Sequence, residues 1–443
     1  MGTKSKAVPA VSAPRLPSLV FAILAGLFFY VAIIKFGNAV ILDSVVSPPV
    51  GFGAMLNESW PAKWGFYLAI PVIVIGLWAA PWKQIKFRPV FLLPALWLGW
   101  EFISATQSIN PALTRQTLAH FTVCIALFYA AYFGLQGGPT WPIWTGIGLA
   151  LCWVIRAGLQ QHFGGLASTR AFLNSPEGMA TLSEQTLKNP DFIKRLNSNR
   201  IFSTFMYPNT LAGGLILTLP LTLVYMWQLT PKVRKPVRIG FVVIFGGAGL
   251  ACLYWSGSKA GWLVALTLGL VALWHSKLSL KWRRALISAV LVIGVAGFAI
   301  KYAAFFHKER NSVGARFGYW RAALIVVKNH PWLGTGPGTF EISYGKLMRP
   351  SDEPTKLCHD DYLQQACDSG VPGFLLYAGA IIVIMAKLYR YSIPKNLSDW
   401  MPFAIYLGVL GMFLHSCVDF HLYIPALAWT QFFLLGWLAQ RVS

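Results

Sequence analysis

Acidic side chains are scarce in this chain. Fifteen Asp and Glu stand against 37 Lys and Arg in 443 residues, and charged residues of both signs make up only 12%. A soluble globular protein carries roughly 25%, so the shortfall argues against a secreted enzyme, a cytosolic dehydrogenase and a disordered scaffold alike. Cysteine is sparse too, with six residues. Cys124, Cys152, Cys252 and Cys417 fall in apolar stretches, which leaves Cys358 and Cys367 outside them. A helical path between these two spans about 13 Å, beyond the about 7 Å that a disulfide bridges, so both are expected to be free thiols. Repeats are absent, low complexity is confined to the Pro/Ala-rich start, and the first apolar run lacks a small-residue cleavage site. That run is therefore read as a first membrane helix.

What is plentiful is apolar: 56% of residues are hydrophobic and the mean hydropathy is +0.55. A helix crosses the hydrocarbon core with about 20 apolar residues. On that template twelve segments stand out, near 17–35, 64–82, 89–104, 115–135, 141–160, 209–228, 238–256, 260–275, 285–303, 372–390, 401–420 and 424–440. The expected fold is all-α, a polytopic membrane protein with about 12 transmembrane helices. Five spans occupy 1–160, four occupy 209–303 and three occupy 372–443, separated by a long loop at 161–208 and a larger one at 304–371.

Charge orients the spans. With the N-terminus in the cytoplasm, the inner segments collect Lys4, Lys6 and Arg15, then Lys83, Lys86 and Arg88, then clusters at 232–238 and 277–284, and finally Lys387, Arg390, Lys395 and Arg441. One acid, Asp399, opposes them. This follows the positive-inside rule, puts both termini in the cytoplasm and uses about half of the basic residues. A nucleic-acid partner is disfavoured, because the basic residues alternate with spans. Long loops escape that rule, so the remaining cations need another cause. Most acids and many arginines gather in the two long loops. Loops of this length are usually functional, and helical patterning at 316–327 and 360–369 points to a small helical periplasmic domain.

The stretch 358–374, CHDDYLQQACDSGVPGF, carries the most chemistry. His359 opens a helical run that stops at Gly370, Pro372 and Gly373, where the tenth span begins. Imidazole titrates nearest neutrality and is the usual general base; Asp360 and Asp361 would raise its basicity. A helix-capping histidine at the interface fits the same residues. The Gly334-Thr-Gly336-Pro-Gly338 turn follows no strand and precedes no Lys-Ser/Thr, so it reads as a tight turn and not a phosphate loop. Arg156 inside the fifth span either snorkels or faces a cleft. His415 and Asp419, a turn apart, form either a functional site or a bracing pair. No His/Asp cluster shows metal-ligand spacing.

His359, a polar residue, nine further residues and Gly370-x-x-Gly373 resemble the signature of the O-antigen ligase/polymerase superfamily. Other blocks resemble it in order: Asn199-Arg200-Ile-Phe-Ser-Thr-Phe with Tyr207-Pro208-Asn209, Trp255-Ser-Gly-Ser258-Lys259-Ala-Gly261, 316–340 with Tyr319-Trp320 and Pro331-Trp-Leu-Gly334, and His415-Ser-Cys-Val-Asp419-Phe420 before Pro425. Together they cover roughly 195–440. Two residues depart from the pattern: Asp360 stands where the family favours Asn, Ser or Gln, and Lys259 where Arg is common.

The resemblance implies a glycosyltransferase of the bacterial inner membrane with its active site on the periplasmic face. Its donor would be an O-antigen glycan on undecaprenyl diphosphate, and its acceptor the sugar of lipid A-core. His359 would be the general base. Arginine recognises diphosphate oxygens bidentately, and Arg200 and Arg316 are the leading candidates, with Tyr319 for sugar stacking. Arg170, Arg310, Arg321 and Lys259 come second. Cationic side chains would neutralise the leaving group without a metal or other cofactor, and attack opposite the diphosphate would invert the anomeric centre. An O-antigen polymerase or protein O-oligosaccharyltransferase is the runner-up, and the short tail after the last span tilts towards the ligase. A lipid-linked glycan transporter or flippase is the alternative of another class, against which stands the lack of paired half-repeats.

Overall fold

The computed structural model describes residues 16–180, 197–306, 312–394 and 399–442. Among these residues there are helices and turns and no β-strand. The helices of eight residues or more are α1 (Leu16–Lys35), α2 (Ala62–Trp78), α3 (Leu93–Ala105), α4 (Pro111–Gly134), α5 (Trp141–Gln160), α6 (Leu166–Leu173), α7 (Pro208–Leu229) and α8 (Lys235–Ser256). They continue with α9 (Lys259–Trp274), α10 (Leu280–Phe306), α11 (Ser312–Asn329), α12 (Phe340–Leu347), α13 (Asp361–Ser392), α14 (Trp400–His415) and α15 (Pro425–Gln440). Every one of the twelve apolar segments lies on a helix. Among the described residues, seven helical stretches are long and apolar enough to cross a membrane: α1, α4, α5 with α6 beyond its kink, α7, α8, α10 and α13. Shorter apolar helices, α2, α3, α9 and α14, stand beside them.

Local sequence starts these helices where it should. Asn110 accepts hydrogen bonds from Ala112 N and Leu113 N ahead of Pro111, the favoured first residue of a helix. Ser258 caps α9 by accepting from Gly261 N at 3.2 Å. Burial then follows apolarity. In α15 the side chains Trp429, Phe433 and Trp437 are all buried, as expected of a helix that is hydrophobic all round. On α10 the opposite holds, with Val292, Ile293 and Ile300 exposed, a surface suited to lipid. Helices α1 and α5 cross closely: a methyl group on Gly146 would collide with the backbone of Gly26, so only glycine allows the approach.

Three boundaries differ from expectation. The span expected over 401–420 ends at His415, where Val418 N bonds His415 O and Cys417 N bonds Leu414 O, a tightened last turn that releases the chain. Past Gln160 the chain kinks, leaving helical geometry at Phe163 (φ −89°, ψ 43°) and Gly164 (φ 118°, ψ −24°), and then resumes as α6, so the first long loop begins with a short helix. Helix α13 starts at Asp361, as the patterning at 360–369 predicts, but runs on through a kink into the tenth span, so the two expected elements form one.

Helix α13 is broken. Ser369 (φ −133°, ψ 16°) and Gly370 (φ 72°, ψ −176°) leave helical geometry, with Pro372 just beyond. A break at membrane depth is tolerated only where neighbours satisfy the freed backbone, and here they do. Thr335 N donates to Cys367 O at 2.9 Å, Gly336 N to Asp368 O at 2.9 Å, Val371 N to Pro331 O at 2.8 Å, and the Trp100 indole to Ser369 O at 2.9 Å. The glycine turn 334–338 is therefore the clamp for this break, which accounts for its residues without a phosphate.

Above the break sits a small helical unit with its own core. Tyr319, Ala322, Ala323 and Val326 of α11 pack on Phe340 and Tyr344 of α12, and on Cys358 and Cys367. Both cysteines are free and buried. Asp352 ties the outside of the unit, accepting from Arg321 Nη2 at 3.2 Å and from Arg349 N at 3.0 Å.

Gly370→Ala places a side chain in a backbone region that is essentially glycine-only, at about 1–3 kcal/mol, and drives it into Trp332 O. A thermal melt in detergent is expected to show a drop of several degrees; an unchanged melting temperature would contradict the clamp.

Candidate functional site

Backbone geometry singles out His359. It is one of two non-glycine residues at positive φ (56°) among those described. The conformation follows from its successor: Asp360 caps α13, accepting from Tyr362 N at 2.9 Å and Leu363 N at 3.0 Å, while Cys358 N donates to the Gln364 side chain. The helix cap is thus Asp360, and His359 is turned away from the helix.

Its imidazole stacks on Tyr319 (centroids 5.6 Å apart, 24° between planes) and meets Phe420 edge-on at 4.7 Å. His359 Nδ1 lies 3.5 Å from Asp419 Oδ1. That is an ion-pair contact, longer than a good hydrogen bond, of the kind that often tightens when substrate binds. The two side chains differ in setting: His359 is 25% exposed and Asp419 only 3%. Burial alone would raise the Asp419 carboxyl, but the His359 contact and the charges of His421, His359 and Arg316 outweigh it and hold it well below the usual carboxylate range. Asp360 and Asp361 were the expected partners of His359; Asp419 takes that place, because the released turn after α14 swings it beside the ring.

Behind Asp419 lie two more imidazoles. His421 Nε2 and His415 Nδ1 are 2.7 Å apart, and His415 Nε2 is 3.4 Å from the hydroxyl of Ser258. Burial holds His421 below its ordinary value, against the pull of Asp419. The pairing expected between His415 and Asp419 is replaced by His415 with His421 and Asp419 with His359. The ligand-type atoms of His415, Asp419 and His421 lie within 4.8 Å of one another, a set that fits a divalent cation. The hydrogen bond between the rings already uses one nitrogen of each, which a cation would have to displace.

The arginines separate by what they touch. Arg200 Nε donates to Ser256 O at 2.7 Å and Nη2 to Asn209 Oδ1 at 2.8 Å, which fixes its guanidinium at the start of α7 and the end of α8. Two residues on, Ser258 reaches the histidine pair, so the turn 255–258 joins the two clusters. Arg170 Nη2 donates to Asn199 Oδ1 at 2.7 Å. Arg316 is half-buried on α11, and its charge bears on Asp419 and His421. Arg321 is engaged by Asp352 and Leu347 O inside the small unit. Lys259 opens α9 next to Ser258. Arg156 is exposed, its guanidinium 5.0 Å from the centre of the Trp153 ring, so it faces out of the bundle. Arg310 lies outside the described residues.

Sequence reasoning missed His421 and Ser258 as members of the cluster. It also missed Gln161, which grips the backbone of Phe202 and Ser203 beneath Arg200 (3.0 and 2.7 Å). The chemistry available is a partly exposed imidazole on an ionised, buried carboxylate, with fixed cations nearby.

Residues 241–378 match a family model described as O-antigen ligase. That stretch holds His359, Arg316 and Tyr319, and stops short of Arg200 on one side and Asp419 on the other. The chain is also similar to an uncharacterized protein of Haemophilus influenzae, 25% identical over 190 residues, which cover 38% of this chain and 46% of that relative's length.

Asp419 also carries a pH signature. Its folded-state carboxyl is depressed, so its stabilising effect is full above the unfolded value of about 3.9 and is lost as pH falls through the folded value. Melts between pH 5 and pH 2 are expected to fall less steeply for Asp419→Asn than for wild type. Identical slopes would mean that the carboxylate is not held ionised.

Proposed function

The chain is a member of the O-antigen ligase superfamily through residues 241–378, and from that premise we propose that it is an O-antigen ligase of the bacterial inner membrane. It transfers a glycan from undecaprenyl diphosphate to a sugar hydroxyl of lipid A-core. Twelve spans with both termini in the cytoplasm put the His359 end of the bundle on the periplasmic face. The observation that carries the reading is the pair of His359, open to solvent, and Asp419, buried and ionised.

In this mechanism Asp419 holds Nδ1 of His359, so Nε2 exchanges the proton. The acceptor hydroxyl gives its proton to Nε2 as its oxygen bonds to the anomeric carbon. The bond from that carbon to the phosphate oxygen breaks on the opposite face, and the diphosphate leaves with the electron pair. Arg200 and Arg316 neutralise the developing charge, and no metal is required. Tyr319, stacked on His359, limits the ring to one orientation; it is buried in the core of the small unit, so it braces the base and does not stack on sugar as expected. Arg170 and Lys259 are second-rank contacts to the donor, while Arg321 is taken up by Asp352 and Leu347 O. Fixed, planar guanidinium groups suit the paired oxygens of a diphosphate better than a mobile ammonium does.

The test is transfer by purified enzyme in liposomes, with a lipid-diphosphate glycan as donor and rough lipopolysaccharide as acceptor. His359→Ala is expected to lose about 10²–10⁴-fold in kcat, and EDTA to leave wild-type transfer intact. A wild-type rate in the alanine variant removes the general base, loss with EDTA removes the metal-free mechanism, and a product of retained configuration removes single displacement. Extension of the lipid-linked glycan in place of transfer to lipopolysaccharide would identify a polymerase.

A further inference from the structure

One acid beside His359 has no part in proton transfer or diphosphate binding. Asp361 is fully buried, in the first turn of α13. Its backbone N–H donates to Ser416 O at 2.8 Å, and its carboxyl Oδ2 accepts from Leu422 N at 2.9 Å. Ser416 and Leu422 are the two ends of the turn that leaves α14, and between them lie Asp419 and His421. One residue therefore grips both ends of the arch that presents Asp419.

The same residue sits two positions after His359, across the Asp360 cap. The ion pair between His359 and Asp419 joins two separate pieces of chain, and Asp361 touches both within a few bonds of each. Tyr362 adds a bond to Phe413 O at 3.1 Å, but only to the α14 side. Burying a polar carboxyl group is costly, and a carboxyl in the first turn of a helix needs no such grip for the dipole effect, which works from the surface. The geometry accounts for the burial.

We propose that Asp361 is a positioning residue, a staple across the 416–422 turn that sets the Asp419 carboxylate against His359. This rests on the reading of His359 as general base. The staple acts through hydrogen-bond acceptance, so an amide oxygen at this position performs it and a methyl group does not. Misplacing a catalytic partner by about 1 Å costs about 100-fold. Because the donor is bound by other groups, the loss falls on kcat.

The test compares Asp361→Ala, Asp361→Asn and Asp361→Ser in the full-length reconstituted enzyme. Alanine is expected to lower kcat by about 100-fold with the donor KM unchanged, and asparagine to recover most of that loss. Serine, too short to reach Leu422 N, behaves as alanine and replaces it where alanine does not fold. A second readout needs no turnover: the ¹⁵N signals of the His359 imidazole in labelled protein, with Asp419→Asn as the reference for a broken pair. Asp361→Ala is expected to reproduce the Asp419→Asn spectrum and Asp361→Asn to keep the wild-type one. A wild-type kcat or spectrum in alanine and serine overturns the proposal, as does asparagine failing like alanine, or a change confined to KM. If the wild-type enzyme transfers no glycan, the function is wrong, and the imidazole spectra still decide the staple.

Discussion

Breaking a helix inside an apolar bundle strands backbone groups that water cannot reach, and the break in α13 is the constraint on which the other features depend. At Ser369 and Gly370 the carbonyls of Cys367, Asp368 and Ser369 must be satisfied by other parts of the chain. The glycine turn 334–338 supplies two amides and α3 supplies an indole, so three distant segments lock around one point. The lock turns the first eight residues of α13 into a platform joined to the small outer unit. His359 projects from the start of that platform.

Electrostatics then uses the rigidity. A carboxylate can be kept ionised while buried only if donors and positive charge surround it. Asp419 has His359 and His421 against it and Arg316 nearby. The arrangement gives the imidazole an orienting partner without exposing that partner to solvent, where it would compete for diphosphate-binding cations. The histidine pair behind it extends the contact to Ser258 and the Arg200 turn, so base and cations stand in a fixed relation.

Much of this was legible in the sequence, and the rest was hidden for physical reasons. Apolar stretches marked the helices on which all twelve expected segments lie, seven of the described stretches being long and apolar enough to cross a membrane, and the periodicity at 316–327 marked α11. His359 and Arg316 stood out because they sit in recognisable blocks. The stop at Gly370 was readable from glycine and proline, with helix before it and a span after it, but the clamp that holds the break was not, since it depends on partners from 331–338 and Trp100. The partner of His359 was misassigned to its neighbours in sequence: Asp360 and Asp361 are adjacent along the chain, yet one is spent on the cap and the other on the 416–422 turn. Asp419 was noticed, but on a helix that ends four residues before it. Tertiary hydrogen bonds of this sort leave no periodic trace.

The central claim is that His359 and Asp419 act as one unit in proton transfer. A double-mutant cycle with His359→Ala and Asp419→Asn, read as kcat/KM for glycan transfer, tests it most directly. Adding Asp419→Asn to His359→Ala is expected to cause almost no further loss, because the carboxylate works only through the imidazole. Losses that multiply would contradict it.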